Sequence, residues 1–149
     1  MAVQINGEPK RLGLALSGGG FRAAAFHLGT FLKLRELGLL DKVDVISCVS
    51  GGSIAGGFLA ANWKSADVLE RLENYLRTRS IAVSTVIGGV LDPFHSRLDK
   101  LASAYDRDLF NGATLTSLKK GPRIYLNSTS LSTDSLCVLQ TGRLPVQIP

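Results

Sequence analysis

Two short apolar runs in this chain each end in a glycine-rich turn, and each turn opens into an apolar stretch. The first run, Leu12 to Leu16, is followed by Ser17-Gly18-Gly19-Gly20. The second, Val43 to Val49, is followed by Ser50-Gly51-Gly52-Ser53. Continuous apolar runs of this length are typical of buried parallel strands, and glycine lets a chain bend sharply between a strand and a helix. The sequence therefore predicts a right-handed βαβ unit in an α/β domain.

The second turn contains a serine flanked by small residues. Ser53 lies at the centre of Gly51-Gly52-Ser53-Ile54-Ala55, a G-x-S-x-A pattern close to the G-x-S-x-G turn of serine hydrolases. In that turn the serine adopts a cramped backbone conformation that exposes its hydroxyl at the end of a sheet. We therefore predict Ser53 as a nucleophile, with its four neighbours in the pattern forming the turn.

The first turn is suited to binding negative charge. Three consecutive glycines at the start of a helix allow backbone N–H groups to approach an oxyanion closely. A serine hydrolase needs such donors, together with a base for the serine proton. The two histidines are His27 and His95. Apolar neighbours in a predicted helix favour a packed role for His27, whereas His95 falls in a predicted loop or helix start.

The order of these elements resembles that of the patatin-like phospholipases. The resemblance rests on Arg11 to Arg22, which contains the G-G-G-x-[RK] loop, and on Val43 to Asn62. It continues more weakly through Leu109 to Leu115 and Arg123 to Leu131. It implies a three-layer α/β fold, in which helices flank a central and mostly parallel sheet.

The resemblance also implies an activity and residue roles. Members of this family hydrolyse lipid esters with a Ser-Asp dyad and no histidine, which implies phospholipase A or lysophospholipase chemistry on Ser53. The oxyanion loop would comprise Gly18, Gly19, Gly20 and Arg22. Arg22 would orient the loop or contact a lipid phosphate.

The chain departs from the family pattern at the aspartate. The family places this residue in a D-G-[GA] motif far downstream of the serine, and the chain contains no Asp-Gly pair. We therefore expect residues 1–149 to form the N-terminal part of a single patatin-like domain, incomplete as a fold and inactive alone. Two alternatives stay open: an inactive lipid-binding or regulatory fragment, and a phosphate-binding or nucleotide-binding βαβ module. The second is disfavoured because Ala23 stands where a dinucleotide fingerprint has its third glycine.

Composition limits the remaining classes. A chain of 149 residues with 45% hydrophobic and 19% charged residues is typical of one globular domain. Its net charge of +5 favours peripheral contact with an anionic membrane, whereas scattered Lys and Arg residues give no sign of nucleic-acid binding. The absence of an apolar leader or spanning segment predicts a cytoplasmic protein. Cys48 and Cys137 do not form a disulfide framework, and no ligand cluster implies a metal or another cofactor.

Hydrophobic spacing predicts the other elements. A helix packed on most sides precedes Gly38, and a helix with one buried face follows Ser65. The stretch from Ile81 to Val90 fits a strand, a helix or a loop. An amphipathic helix around Leu98, Leu101, Ala102 and Tyr105 and two strands, Arg123 to Asn127 and Leu136 to Leu139, complete the prediction.

Overall fold

The computed structural model describes residues 3–79, 102–118, 121–130, 134–141 and 146–148. These residues include seven strands, three α-helices with both ends described, and a further helical stretch at residues 102–105. In chain order the strands and the three α-helices are β1 (Val3–Ile5), β2 (Glu8–Lys10), β3 (Leu12–Leu16), α1 (Gly20–Glu36), β4 (Val43–Val49), α2 (Gly51–Ala61), α3 (Val68–Arg79), β5 (Arg123–Ser130), β6 (Ser135–Gln140) and β7 (Val146–Ile148). A 3-10 turn at Leu40–Lys42 precedes β4, and a π-helical turn spans Asp106–Phe110.

Five of the strands form a mixed sheet in the order β3-β4-β5-β6-β7. β3, β4 and β5 are parallel, whereas β6 and β7 pair in antiparallel fashion. Parallel neighbours must be joined by crossover connections, and α1 provides the one between β3 and β4. The predicted α/β fold, a sheet flanked by helices, is confirmed, with the parallel strands in the half of the sheet that carries both glycine-rich turns.

The core lies between the sheet and α2. α2 packs on β3, β4 and β5, and α1 and α3 pack against α2 and against each other. The core contains fully buried side chains from the three helices and from the sheet; they include Phe31, Phe58, Leu69, Ile46 and Ile124. Because α2 is buried between the sheet and its neighbouring helices, its position relative to the strands is fixed.

Most predicted elements are found, with shifts of a few residues. β3 and β4 have the predicted bounds, and Gly38 has a φ of 63° directly after α1. α3 buries one face through Val68, Leu69, Leu72 and Leu76, as predicted. The prediction that α1 is packed on most sides is wrong for the residues described, because Phe26 is 73% exposed.

Some features fall outside these predictions. The hairpin of β1 and β2 turns at Asn6-Gly7, a dipeptide typical of tight hairpin turns that the sequence interpretation passed over. Two predictions concern residues outside those described: the open assignment of Ile81 to Val90, and the loop or helix start at His95. The first part of the predicted amphipathic helix, at Leu98 and Leu101, also lies outside them.

Candidate active site

The turn between β4 and α2 consists of Ser50. β4 ends at Val49 and α2 begins at Gly51, so a single residue connects them. The φ of 52° and ψ of −121° at Ser50 are rarely adopted by residues with a side chain and cost about 1–3 kcal/mol. Serine at a helix N-cap usually bonds to the backbone, but the exposed Ser50 side chain makes no capping hydrogen bond. A strained turn with an exposed serine hydroxyl is the local geometry of a nucleophile elbow.

The prediction from the sequence that this turn is centred on Ser53 is therefore wrong. Ser53 lies inside α2, where its N–H donates to the carbonyl oxygen of Ser50 at 2.8 Å. Its half-buried side chain contacts the thiol of Cys48, and burial raises the pKa of that thiol to about 11 against a smaller opposing effect of the Ser53 hydrogen bond. Of the two serines, Ser50 is the more exposed residue.

The four residues predicted to surround Ser53 in the turn also belong to α2. Gly51 and Gly52 begin the helix, Ile54 is half-buried, and Ala55 is fully buried. The misplacement has a simple cause: glycines follow Ser50 as well as precede Ser53, so spacing alone does not show which serine ends the strand.

The first two glycines of α2 pack directly on the other glycine-rich turn. A Cβ atom at Gly51 would collide with the carbonyl oxygen of Gly20, and one at Gly52 would lie 2.5 Å from the carbonyl oxygen of Leu16. Real Cβ atoms essentially never approach other atoms within 3.0 Å. Glycine is thus required for the two turns to touch through their backbones.

This contact brings the triple glycine next to Ser50. A Cβ atom at Gly18 would lie 3.2 Å from the Cβ and 3.7 Å from the Oγ of Ser50. Gly19 and Gly20 have φ values of 135° and 63°, in the region that favours glycine. Gly20 also begins α1, whose first N–H groups have no partner within the helix. The loop is therefore suited to donating backbone hydrogen bonds beside the Ser50 hydroxyl.

Side chains on both sides hold these turns in place. His27, which is 4% exposed, has its Nε2 3.1 Å from the carbonyl oxygen of Ser17, directly before the glycines. The amide of Asn127 on β5 donates to the Ser47 hydroxyl and to the Cys48 carbonyl oxygen, each at 3.0 Å. The packed role predicted for His27 is confirmed, and none of these three hydrogen bonds was predicted from the sequence.

Arg22, assigned to the oxyanion loop by resemblance, lies in the first turn of α1 and is exposed. It follows the glycines, whereas the space in front of Gly18, where a Cβ atom would stand, faces the Ser50 side chain.

An apolar cavity of about 520 Å³ opens at Ser50. One wall is a face of α2, and the other comes from the segment around Phe110 and from β5. The described residues that form these walls are mostly apolar; they include Phe21, Ile54, Tyr105, Phe110, Leu115, Leu118, Ile124 and Leu126. A cavity with such a lining favours an apolar ligand.

The described residues around this cavity supply neither of the usual bases of serine hydrolases, a carboxylate or an imidazole. No carboxylate and no imidazole is among the described lining residues. Within the same described ranges, no group of three His, Cys, Asp or Glu side chains is placed to hold a metal ion. A proton acceptor for Ser50 is therefore not identified in the part of the chain that the structure describes.

The architecture and the turn define an α/β domain in which a serine, between a strand and a helix, faces a triple-glycine loop. The model of one family, the patatin-like phospholipases, matches residues 14–139. The chain belongs to the patatin-like phospholipase family. A comparison with curated protein sequences gave no match.

Solved structures share the fold. Human GIVD cytosolic phospholipase A2, in complex with methyl gamma-linolenyl fluorophosphonate and terbium chloride, matches with 18% identity and a TM-score of 0.60 over 92% of this chain. The complex with the fluorophosphonate alone gives 20% identity and a TM-score of 0.58, again over 92% of this chain. The heterodimeric ExoU-SpcU complex of the Pseudomonas aeruginosa type III secretion system matches with 21% identity and a TM-score of 0.54 over 90% of this chain.

The matched regions are a minor part of those proteins. They amount to 24%, 23% and 33% of the three solved chains. Among the residues described here, no helix has both the length and the apolarity needed to cross a membrane.

Proposed function

We propose that this site hydrolyses the carboxylic ester bonds of lipids, in the manner of a phospholipase A or lysophospholipase, with Ser50 and not Ser53 as the nucleophile. One observation carries the proposal: the strained Ser50 turn lines an apolar cavity and lies beside the triple-glycine loop. The family membership supports lipid esters as the substrate class.

The geometry suggests a sequence of steps. Ser50 Oγ attacks the ester carbonyl carbon and its proton passes to a base, while the carbonyl electrons form an oxyanion. Backbone N–H groups of the loop from Gly18 to Gly20 would stabilise that charge, and one such donor is worth about 3–4 kcal/mol in other hydrolases. Loss of the alcohol leaves an acyl group on Ser50, and water then releases the fatty acid and restores the hydroxyl.

Labelling with an alkyl fluorophosphonate tests the nucleophile. Because no base for Ser50 is identified, we expect labelling to be slow and to reach one adduct per chain by intact mass only after long incubation with excess reagent, with the adduct mapped to Ser50 by peptide sequencing. Ser53→Ala should be labelled as the natural chain is, because Ser53 lies within a helix and its hydroxyl contacts Cys48. Ser50→Ala should show no adduct. An adduct on Ser53 would restore the sequence-based assignment and reject ours.

A second candidate function is lipid binding without turnover. It is favoured by the absence of a carboxylate or imidazole among the described residues of the cavity. Loss of one member of a catalytic set costs roughly four to six orders of magnitude in turnover in other serine hydrolases. We therefore propose that this chain alone hydrolyses a p-nitrophenyl ester hardly faster than its Ser50→Ala variant.

A clear rate difference between those two proteins would point to a base within the chain. Asp134 and His95 would then be the first residues to replace, and loss of the rate in either variant would identify the base.

Contact with an anionic membrane also stays a prediction, which sedimentation with anionic and neutral vesicles would test.

A further inference from the structure

His27 is a buried polar side chain that the proposed reaction steps do not use. It lies on α1, and its Nε2 is 3.1 Å from the carbonyl oxygen of Ser17, ten residues earlier in the chain. A carbonyl oxygen only accepts hydrogen bonds, so Nε2 must carry a proton and donate it. The Ser17 hydroxyl oxygen is 3.5 Å from the same nitrogen, which is too far for a second strong bond. The contact is therefore one between the imidazole and the backbone.

The bond from His27 fixes the backbone directly before the triple glycine. Gly52 confines the same Ser17 carbonyl oxygen from α2, because a Cβ atom at Gly52 would lie 2.7 Å from it. The glycines that follow supply no such restraint of their own, since a residue without a side chain has wide backbone freedom. The direction of the loop thus depends on what α1 and α2 do to the Ser17 carbonyl group.

The direction of the Ser17 carbonyl group also sets the direction of the Gly18 N–H. Both groups belong to one planar trans peptide unit, so they point in opposite directions. Within the described ranges the Gly18 N–H donates to no other residue, and an added Cβ at Gly18 would lie 3.7 Å from Ser50 Oγ. A donor that is available and already oriented is what an oxyanion needs, because no reorganisation is then required during the reaction.

We propose that His27 is a positioning residue, which orients the Gly18 N–H toward the oxyanion that forms at Ser50. The imidazole contacts neither the substrate nor the reacting atoms, and it acts through the peptide unit between Ser17 and Gly18. Without the bond this peptide unit can rotate, and its N–H loses the fixed direction. The role in the reaction rests on the proposed function, whereas the orientation of the Gly18 N–H does not.

The test is the rate of alkyl fluorophosphonate labelling at Ser50, measured at several reagent concentrations to separate reversible binding from the covalent step. Attack on phosphorus also places negative charge on an oxygen, so the rate depends on the Gly18 N–H. His27→Phe keeps a ring but removes the donor, and it should slow the covalent step about tenfold to a hundredfold, less than loss of a whole oxyanion donor. Reversible binding of the reagent should not change. His27→Gln should label at nearly the natural rate, because its amide N–H can donate to the same carbonyl oxygen.

Phe31→Leu is the matched control for a general loss of stability. Phe31 is fully buried one turn further along α1, so the smaller side chain destabilises the protein and leaves the His27 donor in place. This variant should label at the natural rate. The inference is rejected if Phe31→Leu slows labelling as much as His27→Phe does, or if His27→Phe labels as the natural chain does. Failure of His27→Gln to restore the rate would also reject it.

NMR of the chain labelled with nitrogen-15 tests the orientation without any reaction. The His27 ring should carry a proton on Nε2, and the Gly18 amide resonance should move in His27→Phe but stay near its natural position in His27→Gln. A natural chain without an adduct at Ser50 would reject the proposed function, and these resonances would still decide whether His27 orients the Gly18 N–H. If His27→Phe is unfolded by circular dichroism, the ring of the natural chain decides, and an Nε2 without a proton rejects the inference.

Discussion

The backbone conformation of Ser50 stores strain that a glycine would not carry. The turn costs about 1–3 kcal/mol for a residue with a side chain, and glycine adopts such angles freely. We expect Ser50→Gly to raise the free energy of unfolding by about 1 kcal/mol, after the larger backbone entropy loss of glycine is subtracted. Urea unfolding followed by circular dichroism measures the change.

Ser53→Gly is the matched control, because it makes the same replacement inside α2. It should lower the free energy of unfolding by about 0.5–1 kcal/mol, since glycine is a poor helix former. Opposite signs at the two serines would support the placement of the turn at Ser50. Destabilisation by both variants would contradict it.

The residue scale is also where sequence interpretation failed. Hydrophobic runs locate a strand to within a few residues, but the turn is decided by which residue takes the strained angles, and both serines have glycine neighbours. The three hydrogen bonds that support the turns, one from His27 and two from Asn127, join residues that are ten or more positions apart in the sequence. No local pattern indicates them.

At the scale of elements, the glycines of α2 allow close contact between a helix and a strand end. Replacing glycine by alanine in a helix interior usually stabilises it by about 1 kcal/mol. Gly52→Ala should instead destabilise the protein, by about 1–3 kcal/mol, because its Cβ would lie 2.5 Å from the Leu16 carbonyl oxygen. Thermal and urea unfolding should both detect the loss.

Gly29→Ala provides the comparison. Gly29 is in α1, and no atom lies within 4 Å of an added Cβ. The free energy of unfolding of this variant should therefore rise by about 0.5–1 kcal/mol. Equal effects of the two substitutions would mean that α2 can move away from β3, and the proposed rigidity of the contact would be wrong.

Elements were predicted better than their contacts. The bounds of β3 and β4 and the buried face of α3 follow from hydrophobic spacing, which depends on the sequence alone. Burial around α1 depends on which other elements pack against it, and the sequence pattern did not indicate that Phe26 is exposed. The cavity is likewise formed by segments distant in sequence, α2 and the region of Phe110.

For the whole molecule, the buried thiol of Cys48 makes stability depend on alkaline pH. Burial raises its pKa from 9.0 to about 11. Well below pH 9 the thiol is neutral in the folded and the unfolded state, and its full contribution to the free energy of unfolding is present. As the pH rises from 9 to 11, the thiol ionises in the unfolded state first, and about 2–3 kcal/mol is lost.

Urea unfolding at about pH 8 and about pH 11 measures this loss. Cys48→Ala is the appropriate comparison, because it keeps the other titrating groups and removes the thiol. The difference in stability between the natural chain and this variant should narrow or reverse sign at the higher pH. An unchanged difference would show that Cys48 ionises equally in both states.

The backbone contact between the two glycine-rich turns also limits how this sequence can change through evolution. The atoms that would obstruct a side chain at Gly51 or Gly52 are carbonyl groups, which no substitution can make smaller. A collision between two side chains can be relieved by a second mutation, but this one cannot. Lineages that keep the turn must therefore keep both glycines.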